Sequence, residues 1–545
     1  MGGYLQHTLY EISVLGWIEE TTKPLIDGIY QSIVNAHNHL QEGNITLSTG
    51  ELLDTNINRS PQSYLLNPEH ERDQYKYDVD KQMTVLKFQS RTGDDLGLVS
   101  WFAVHGVSVN NTNRLINGDN KGYAAYFVEK FMNDALPGKG PFVAAFAQSN
   151  EGDVSPNVLG SFCTGTDIPC DGTAQTKCPT GSRCNGRGPK WTVSDLESNR
   201  VIGTNQALKS LELYHSDWQF QVDGKVDFVQ KYWDITKTVI PAGTTDGPAL
   251  EGFYQNTTSG RFIWNMIRNA IKRPTHKQAM CQAPKPILLD TGEIKFLPPW
   301  QPRIIDIQLF RVGNIFIYAV PAEFTTMSGR RLQRAIKAAL IKHGLGDDRS
   351  TIIHSGPANG YASYVTTFEE YQHQRYEGAS TPYGPHTLDG YIQVFEELVE
   401  KMANPNLQLE SENLPDYTNR TFDFSPPFRS DQPAMFKRFG QTLKDVKPTY
   451  SLKKDTIVMA LFVAGNPRND PMLGKTFLTV ERKVNESEWQ VILTDSDYNT
   501  RFYWRYQNQL FGMSEAQIEW HIDEDVEKGT YRIGYFGNHK AVFSR

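Results

Sequence analysis

No stretch of this chain approaches the roughly 20 consecutive apolar residues that a bilayer-spanning helix needs. Runs such as Ile315–Val320 and Ile457–Ala464 are only strand-length. The first residues, MGGYLQHTLYEISVLGW, lack the basic flank and apolar core of a secretory signal peptide. Basic charge is not in excess: 55 Lys and Arg stand against 62 Asp and Glu, a formal charge of −7, which leaves no electrostatic footprint for nucleic acid. Internal repeats and low-complexity tracts are missing. So is a Gly-x-Ser-x-Gly elbow, which disfavours a metal-free serine esterase. Cysteine is scarce, at five in 545 residues. What remains is a globular composition, 39% hydrophobic and 12% aromatic. The length exceeds what one core serves, so two or more domains are expected.

The stretch that organises the rest is Phe142 to Asn157, FVAAFAQSNEGDVSPN. Phe142–Ala147 reads as a buried strand that stops at Gln148-Ser149 and enters the polar turn Asn150-Glu151-Gly152-Asp153. A rigid strand ending in a variable turn is where α/β proteins place reactive groups. Gly152 would permit a sharp bend, and Pro156 would fix the backbone after Ser155. Ser155 would then sit at the rim of a sheet, hydroxyl outward. An ordinary Asx/Pro turn fits the same residues.

Four cysteines, Cys163, Cys170, Cys178 and Cys184, crowd one Gly/Thr/Asp-rich loop. Their spacings of seven, eight and six residues lack the close pairs of zinc sites. Two disulfides are favoured over zinc, with three pairings open, and they point outside the cytosol. Acceptor triplets at Asn44, Asn58, Asn110, Asn256, Asn419 and Asn485 fit a secretory route to the cell surface or beyond.

Along the chain, helical spacing over residues 4–40 puts Leu25, Ile29, Ile33 and His37 on one face, a surface helix packed on a sheet. Met83–Phe88 and Leu96–Val104 read as paired strands turning at Gly93-Asp94-Asp95, with His105 directly after the second. Lys121–Met132 is an amphipathic helix. Ser194-Asp195-Leu196-Glu197 has capping-box spacing at the start of a helix to Leu213. Arg303–Val320 holds two strands, and Glu323 follows the second. A helix then opens at Gly329-Arg330-Arg331 and runs to about His343. Strand Ser350–His354 precedes Tyr361 and Tyr364, and Leu388–Met402 is a helix with Glu396, Glu397 and Glu400 on its solvated face. Residues 404–433 have linker composition. Six short alternating runs follow, between Thr456 and Phe536, which argues an immunoglobulin-like sandwich. Asp495, Asp497 and Thr500 place three oxygens in one turn there, suited to a hard cation such as calcium.

Asn150-x-Gly152-Asp153-Val154-Ser155-Pro156-Asn157 resembles the nucleophile motif of the neutral ceramidases. Asn58-Arg59-Ser60-Pro61, Trp101 to His105, Pro321 to Arg330 and Tyr383 to Thr387 match that family in the same order, and the resemblance runs from Gly2 to about Phe536. It implies an α/β (α+β) catalytic domain with mixed sheets over residues 1–403, a linker over 404–433, and an immunoglobulin-like domain over 434–545. It implies zinc held by His105, Glu323 and Tyr364, with Ser155 as the attacking hydroxyl. Arg59 and Tyr376 would lie beside the scissile amide, and calcium at Asp495, Asp497 and Thr500. It implies ceramide at a membrane lipid surface as substrate, and the pairing Cys163–Cys178 and Cys170–Cys184. A family insert carrying a cysteine is missing around Thr238-Val239-Ile240, so Cys281 is expected to be a free thiol. The family's first zinc histidine lies in a His-Thr-His-Ser-Gly-Pro-Gly-Gly-Tyr motif, and this chain begins at Met1-Gly2-Gly3-Tyr4, after it. Two outcomes follow: an amidohydrolase of N-acyl sphingoid bases, or a catalytically impaired, lipid-binding relative. The C-terminus is also expected to stop before the last strand of the sandwich.

Overall fold

The structure is a computed structural model that describes residues 15–170, 178–179, 181–241, 266, 273–287, 301–425, 430–452, 456–523 and 526–540. Asn256 and residues 4–14 of the helical stretch lie outside these. The strands in chain order are β1 (Gly43–Glu51), β2 (Ile57–Asn58), β3 (Gln82–Ser90), β4 (Asp95–Phe102), β5 (Val143–Gln148) and β6 (Val154–Ser155). After them come β7 (Ser161–Cys163), β8 (Cys184–Gly186), β9 (Phe220–Gln221), β10 (Val226–Asp234), β11 (Ile304–Val312) and β12 (Ile315–Ala319). Next are β13 (Glu323–Phe324), β14 (Thr351–Ser355) and β15 (Tyr364–Val365).

Two mixed sheets carry the larger part of the molecule, one in the order β5-β4-β3-β1-β9 and one in the order β10-β11-β12-β14. Their alternation decides what each face meets. On β3, Met83 and Val85 join Ala124, Val128, Ile202 and Leu211 from the helices Asp119–Asn133 and Asp195–Tyr214. Leu86, on the other face, joins Leu47, Trp101, Ile315 and Ile353. On β12, Ile315 turns toward the first sheet, while Phe316 and Tyr318 pack with Leu332, Ile336, Phe395 and Leu398 from the helices Thr326–Lys342 and Thr387–Ala403. The layers are therefore helices, sheet, sheet, helices. Each sheet has one parallel pair, β4 with β5 and β12 with β14, among antiparallel ones, which agrees with the mixed-sheet expectation.

Beyond these, β16 (Thr442–Lys444), β17 (Ile457–Ala464), β18 (Leu478–Lys483), β19 (Trp489–Thr494), β20 (Thr500–Asn508), β21 (Met513–His521) and β22 (Tyr531–Tyr535) form two all-strand sheets. Their orders are β16-β17-β21-β20 and β19-β18-β22. Val458, Ala460 and Phe462 alternate inward along β17 against Val480, Leu493, Leu478, Ile518 and Trp520.

Several expectations need correction. Strand β5 lies at a sheet edge and Val143 is exposed, so it is half-buried rather than buried. The helix Glu19–Asn38 forms, but Leu25, Ile29 and Ile33 are exposed, and that face packs on no sheet among the described residues. The helix expected from Gly329 starts three residues earlier, after Thr325 in extended backbone. Strand β16 escaped the sequence reading because three residues give too little alternation to see. Both expected disulfides are present, Cys163–Cys178 and Cys170–Cys184, and Cys281 is a free, exposed thiol. Asn58 is buried and its amide donates to Asp78 O and Asp153 Oδ2, so it cannot accept a glycan. Asn44, Asn110, Asn419 and Asn485 are exposed.

Candidate active site

Two very short ladders, at the ends of the large sheets, build the site. In one, β2 pairs antiparallel with β6, Ile57 opposite Ser155 and Asn58 opposite Val154. In the other, β13 runs parallel to β15, so Glu323 and Tyr364 stand side by side. Gly152 N donates to Phe324 O at 2.8 Å and locks the two ladders together. A Cβ at Gly152 would meet Phe324 C at 2.7 Å and Thr325 N at 2.8 Å. Glycine is thus required here by close backbone approach, not by a left-handed bend. Asp153 fixes the same turn: Oδ1 accepts from Thr326 N and Oγ1, both at 2.7 Å, and Oδ2 accepts from Asn58 at 2.8 Å. Burial and the nearby Glu370 push its carboxyl up to about 7, against the Thr326 donors.

His105 follows β4 and meets both ladders. Its backbone N–H and its Nδ1 donate to Val154 O, at 3.2 and 2.9 Å. A carbonyl only accepts, so Nδ1 carries the proton and Nε2 is turned outward. Nε2 stands 2.7 Å from Glu323 Oε2 and 3.4 Å from the Tyr364 hydroxyl. The imidazole of a neutral ring and a carboxylate both offer lone pairs, so contact at 2.7 Å calls for a proton or a metal cation between them. The Tyr361 hydroxyl donates to Glu323 Oε1 at 2.6 Å. Burial pushes the Glu323 carboxyl up, but the bond and charge of His105 and the two tyrosine hydroxyls outweigh it and hold it at about 2. Burial raises the Tyr364 phenol and Glu323 adds to that, opposed by Arg59. One nitrogen, one carboxylate and one phenol oxygen in a nearly dry pocket form a donor set that fits zinc.

Arg59 spans the site. Its Nε donates to Glu377 at 2.8 Å, and its Nη2 to Gly152 O at 2.9 Å and the Tyr364 hydroxyl at 3.2 Å. Burial works against the guanidinium charge, but Glu377 and Tyr364 overcome it and raise the pKa. The Tyr376 ring lies under the same guanidinium, 4.9 Å from centroid to Cζ, and edge-on to Tyr364. Tyr376 is 63% exposed, so its hydroxyl is within reach of an arriving molecule. Ser155 is buried one residue from the carbonyl that holds His105, and its Oγ accepts from Asn157 N at 3.1 Å.

Sequence reasoning missed Glu377 and Tyr361 as partners of Arg59 and Glu323, although Tyr361 was named and Glu377 adjoins the named Tyr376. It also missed Glu151, a buried carboxyl in the turn before Ser155.

The turn read as a calcium site is arranged differently. Asp497 is buried, and its Oδ1 accepts from Lys130 Nζ at 3.1 Å and Tyr126 at 3.2 Å. Its Oδ2 accepts from Thr494 N at 2.8 Å, and Asp495 Oδ2 accepts from Phe477 N at 2.8 Å. Thr500 Oγ1 donates to the carbonyls of Thr494 and Asp497. Protein donors thus meet both Asp497 oxygens and Asp495 Oδ2, and the Lys130 ammonium lies beside Asp497.

Known proteins share this architecture. Residues 1–242 and 238–393 match the family model described as neutral/alkaline non-lysosomal ceramidase, N-terminal, and residues 395–545 match its C-terminal counterpart. Neutral ceramidase 1 of Arabidopsis thaliana is 39% identical, over 99% of this chain and 81% of its own length. Neutral ceramidase B of Dictyostelium discoideum is 41% identical, over 98% and 77%. The crystal structure of neutral ceramidase from Pseudomonas aeruginosa superposes with a TM-score of 0.83 at 33% identity, covering 99% of this chain and 81% of that one. A ceramidase complexed with C2 superposes with a TM-score of 0.81, also at 33% identity and with the same coverage. End to end, this chain belongs to the neutral/alkaline non-lysosomal ceramidase family.

Proposed function

We propose that this chain hydrolyses the amide bond of ceramides at a lipid surface, releasing a sphingoid base and a free fatty acid, with zinc at His105, Glu323 and Tyr364. The observation that carries this reading is the meeting of His105 Nε2 with Glu323 Oε2 at 2.7 Å, beside the Tyr364 hydroxyl and one residue from Ser155 through Val154 O. The names of its relatives supply the substrate. Zinc bound there would polarise a carbonyl and lower the pKa of an oxygen it holds.

The remaining chemistry belongs to the chain. Ser155 Oγ adds to the amide carbonyl carbon; the C–N bond breaks, and the hydroxyl proton leaves on the amine. Water then cleaves the Ser155 ester to the fatty acid and restores the hydroxyl. Asn157 N–H, already on Oγ, favours the developing negative charge. Arg59 and Tyr376 donate to the carbonyl oxygen as it becomes an oxyanion, worth about 3 kcal/mol per donor. Glu377 keeps the guanidinium charged and aimed.

The same reading divides the chain into catalytic residues 1–403, a connection over 404–433, and an immunoglobulin-like unit over 434–545, in a protein outside the cytosol. Nothing among the described residues favours the impaired, lipid-binding alternative. The test is turnover of a short-chain ceramide by the purified chain, with zinc content measured alongside. Ser155→Ala should abolish turnover while zinc content and folding stay unchanged; retained turnover ends the serine assignment.

A further inference from the structure

We infer that the four-cysteine loop is a further metal site once its disulfides are reduced, with Cys163, Cys170, Cys178 and Cys184 holding one zinc ion as four thiolates. This site is separate from the one proposed at His105 and stands or falls without it.

The four Sγ atoms lie within 4.8 Å of one another. Cys163 is bonded to Cys178 and Cys170 to Cys184, and the two bridges sit against each other. Between them, Cys163 Sγ is 3.8 Å from Cys170 Sγ, Cys170 is 3.7 Å from Cys178, and Cys178 is 3.8 Å from Cys184. Four sulfurs at about 2.3 Å from a tetrahedral zinc are about 3.8 Å apart. Three edges of that tetrahedron are thus in place, and the two bonded pairs need only part to the same separation. Zinc loops usually gather their thiolates through short Cys-x-x-Cys pairs. Here backbone pairing gathers them.

Much of that pairing does not depend on the disulfides. Strands β7 and β8 put Cys163 opposite Cys184. Cys163 N donates to Ile168 O at 2.9 Å, and Cys170 N to Ser161 O at 2.8 Å. Cys163 is buried and Cys184 exposed, so one side of the cluster is dry and the other admits an ion. The base of the loop also supports the proposed nucleophile. Arg187 N donates to Gly160 O at 2.8 Å, Gly160 N to Asn157 O at 2.9 Å, and Asn157 N to Ser155 Oγ. Zinc in place of the bridges would keep that support in reducing surroundings.

The chemistry balances with a phosphine as reductant. Each S–S bond takes two electrons from a phosphine and two protons from water, giving two thiols, and the water oxygen ends on the phosphine oxide. The four thiols release four protons as they take the ion.

The test compares the oxidised and the phosphine-reduced full chain, both stripped of metal, titrated with cobalt(II) and then with zinc. The reduced chain is expected to take one more ion than the oxidised chain. Its cobalt form should show the near-ultraviolet charge-transfer band of thiolate ligands, and zinc should displace that cobalt. Cobalt at His105, Glu323 and Tyr364 has no sulfur ligand and gives no such band. Reduced Cys178→Ser should bind this ion roughly a hundredfold more weakly, whereas Cys281→Ser should match wild type. Zinc should also restore most of the melting temperature lost on reduction. No additional ion, a band absent or lost in Cys281→Ser, or undiminished affinity in Cys178→Ser overturns the inference. If the reduced chain unfolds without metal, reduction is repeated with one equivalent of zinc present. Retention of the oxidised chain's melting temperature then supports the site, and unfolding equal to that without zinc overturns it.

Discussion

Two clusters in this molecule were read as cation sites, and the structure treats them in opposite ways. At Asp497 every carboxylate oxygen is met by a donor, and the positive charge comes from Lys130 on the helix Asp119–Asn133. At His105 and Glu323, an imidazole nitrogen and a carboxylate meet at 2.7 Å, a contact that a proton or a cation must bridge. Both clusters combine acidic side chains with tight turns, so residue type alone does not separate them. What separates them is whether the acceptors are already satisfied. A metal site in a protein is an excess of lone pairs over donors, held rigidly.

This contrast can be broken by experiment, and the largest effect is expected at the imidazole. His105→Ala should lower zinc affinity at least a hundredfold and abolish ceramide turnover, checked by chelator competition and product release. Next in size is the acid response of Glu323. In the metal-free protein its carboxyl is held at about 2, below the ordinary value of about 4.3. A depressed carboxyl stabilises the fold above its unfolded pKa and loses that contribution as pH falls through the folded value. Stability should therefore drop between about pH 4 and pH 2, by on the order of 2–3 kcal/mol. Denaturant unfolding of metal-free Glu323→Gln should show a flatter profile over that range.

The other cluster gives smaller numbers. Lys130→Ala leaves Asp497 buried without its ammonium. The cost should be about 2 kcal/mol, below the 3–5 of a fully buried pair, because the Lys130 side chain is 43% exposed. Thermal unfolding measures it. Calcium should not raise the melting temperature of wild type, and should partly restore that of Lys130→Ala. A calcium-induced rise in wild type would show that the ammonium yields its place. Smallest of all is Cys281→Ser, expected to change neither stability nor turnover. Titration of the denatured, unreduced chain should count one thiol in wild type and none in this variant.

Much of this was legible in sequence because it is local. The strand pair about Gly93, the helices after Lys121 and Ser194, and the six alternating runs after Thr456 follow from periodicity and turn chemistry within 10 to 20 residues. Ser155, His105, Glu323 and Tyr364 were legible only through ordered motif resemblance, since no spacing brings residues more than 200 apart to one point. Tyr361 was named and Glu377 lies next to the named Tyr376, yet their roles depend on where Arg59 and Glu323 point, which is a tertiary matter. The ammonium beside the calcium turn was illegible for the same reason. Asp497 meets Lys130 across 367 residues of sequence, and no local pattern announces a rival cation from another element. For the helix Glu19–Asn38 the periodicity was right and the burial inferred from it was not. A 3.6-residue pattern predicts an apolar face without naming what covers it.

The carbonyl of Val154 grips the imidazole, and the adjoining residue is Ser155, the proposed nucleophile. One peptide unit thus sets the spacing between the proposed attacking oxygen and the imidazole proposed to hold zinc. Redesign of substrate preference has little freedom next to Ser155, since displacing the serine also drags the histidine. More latitude lies on the side of Tyr376, in the exposed positions around it rather than at Tyr376 itself, whose hydroxyl is a proposed oxyanion donor.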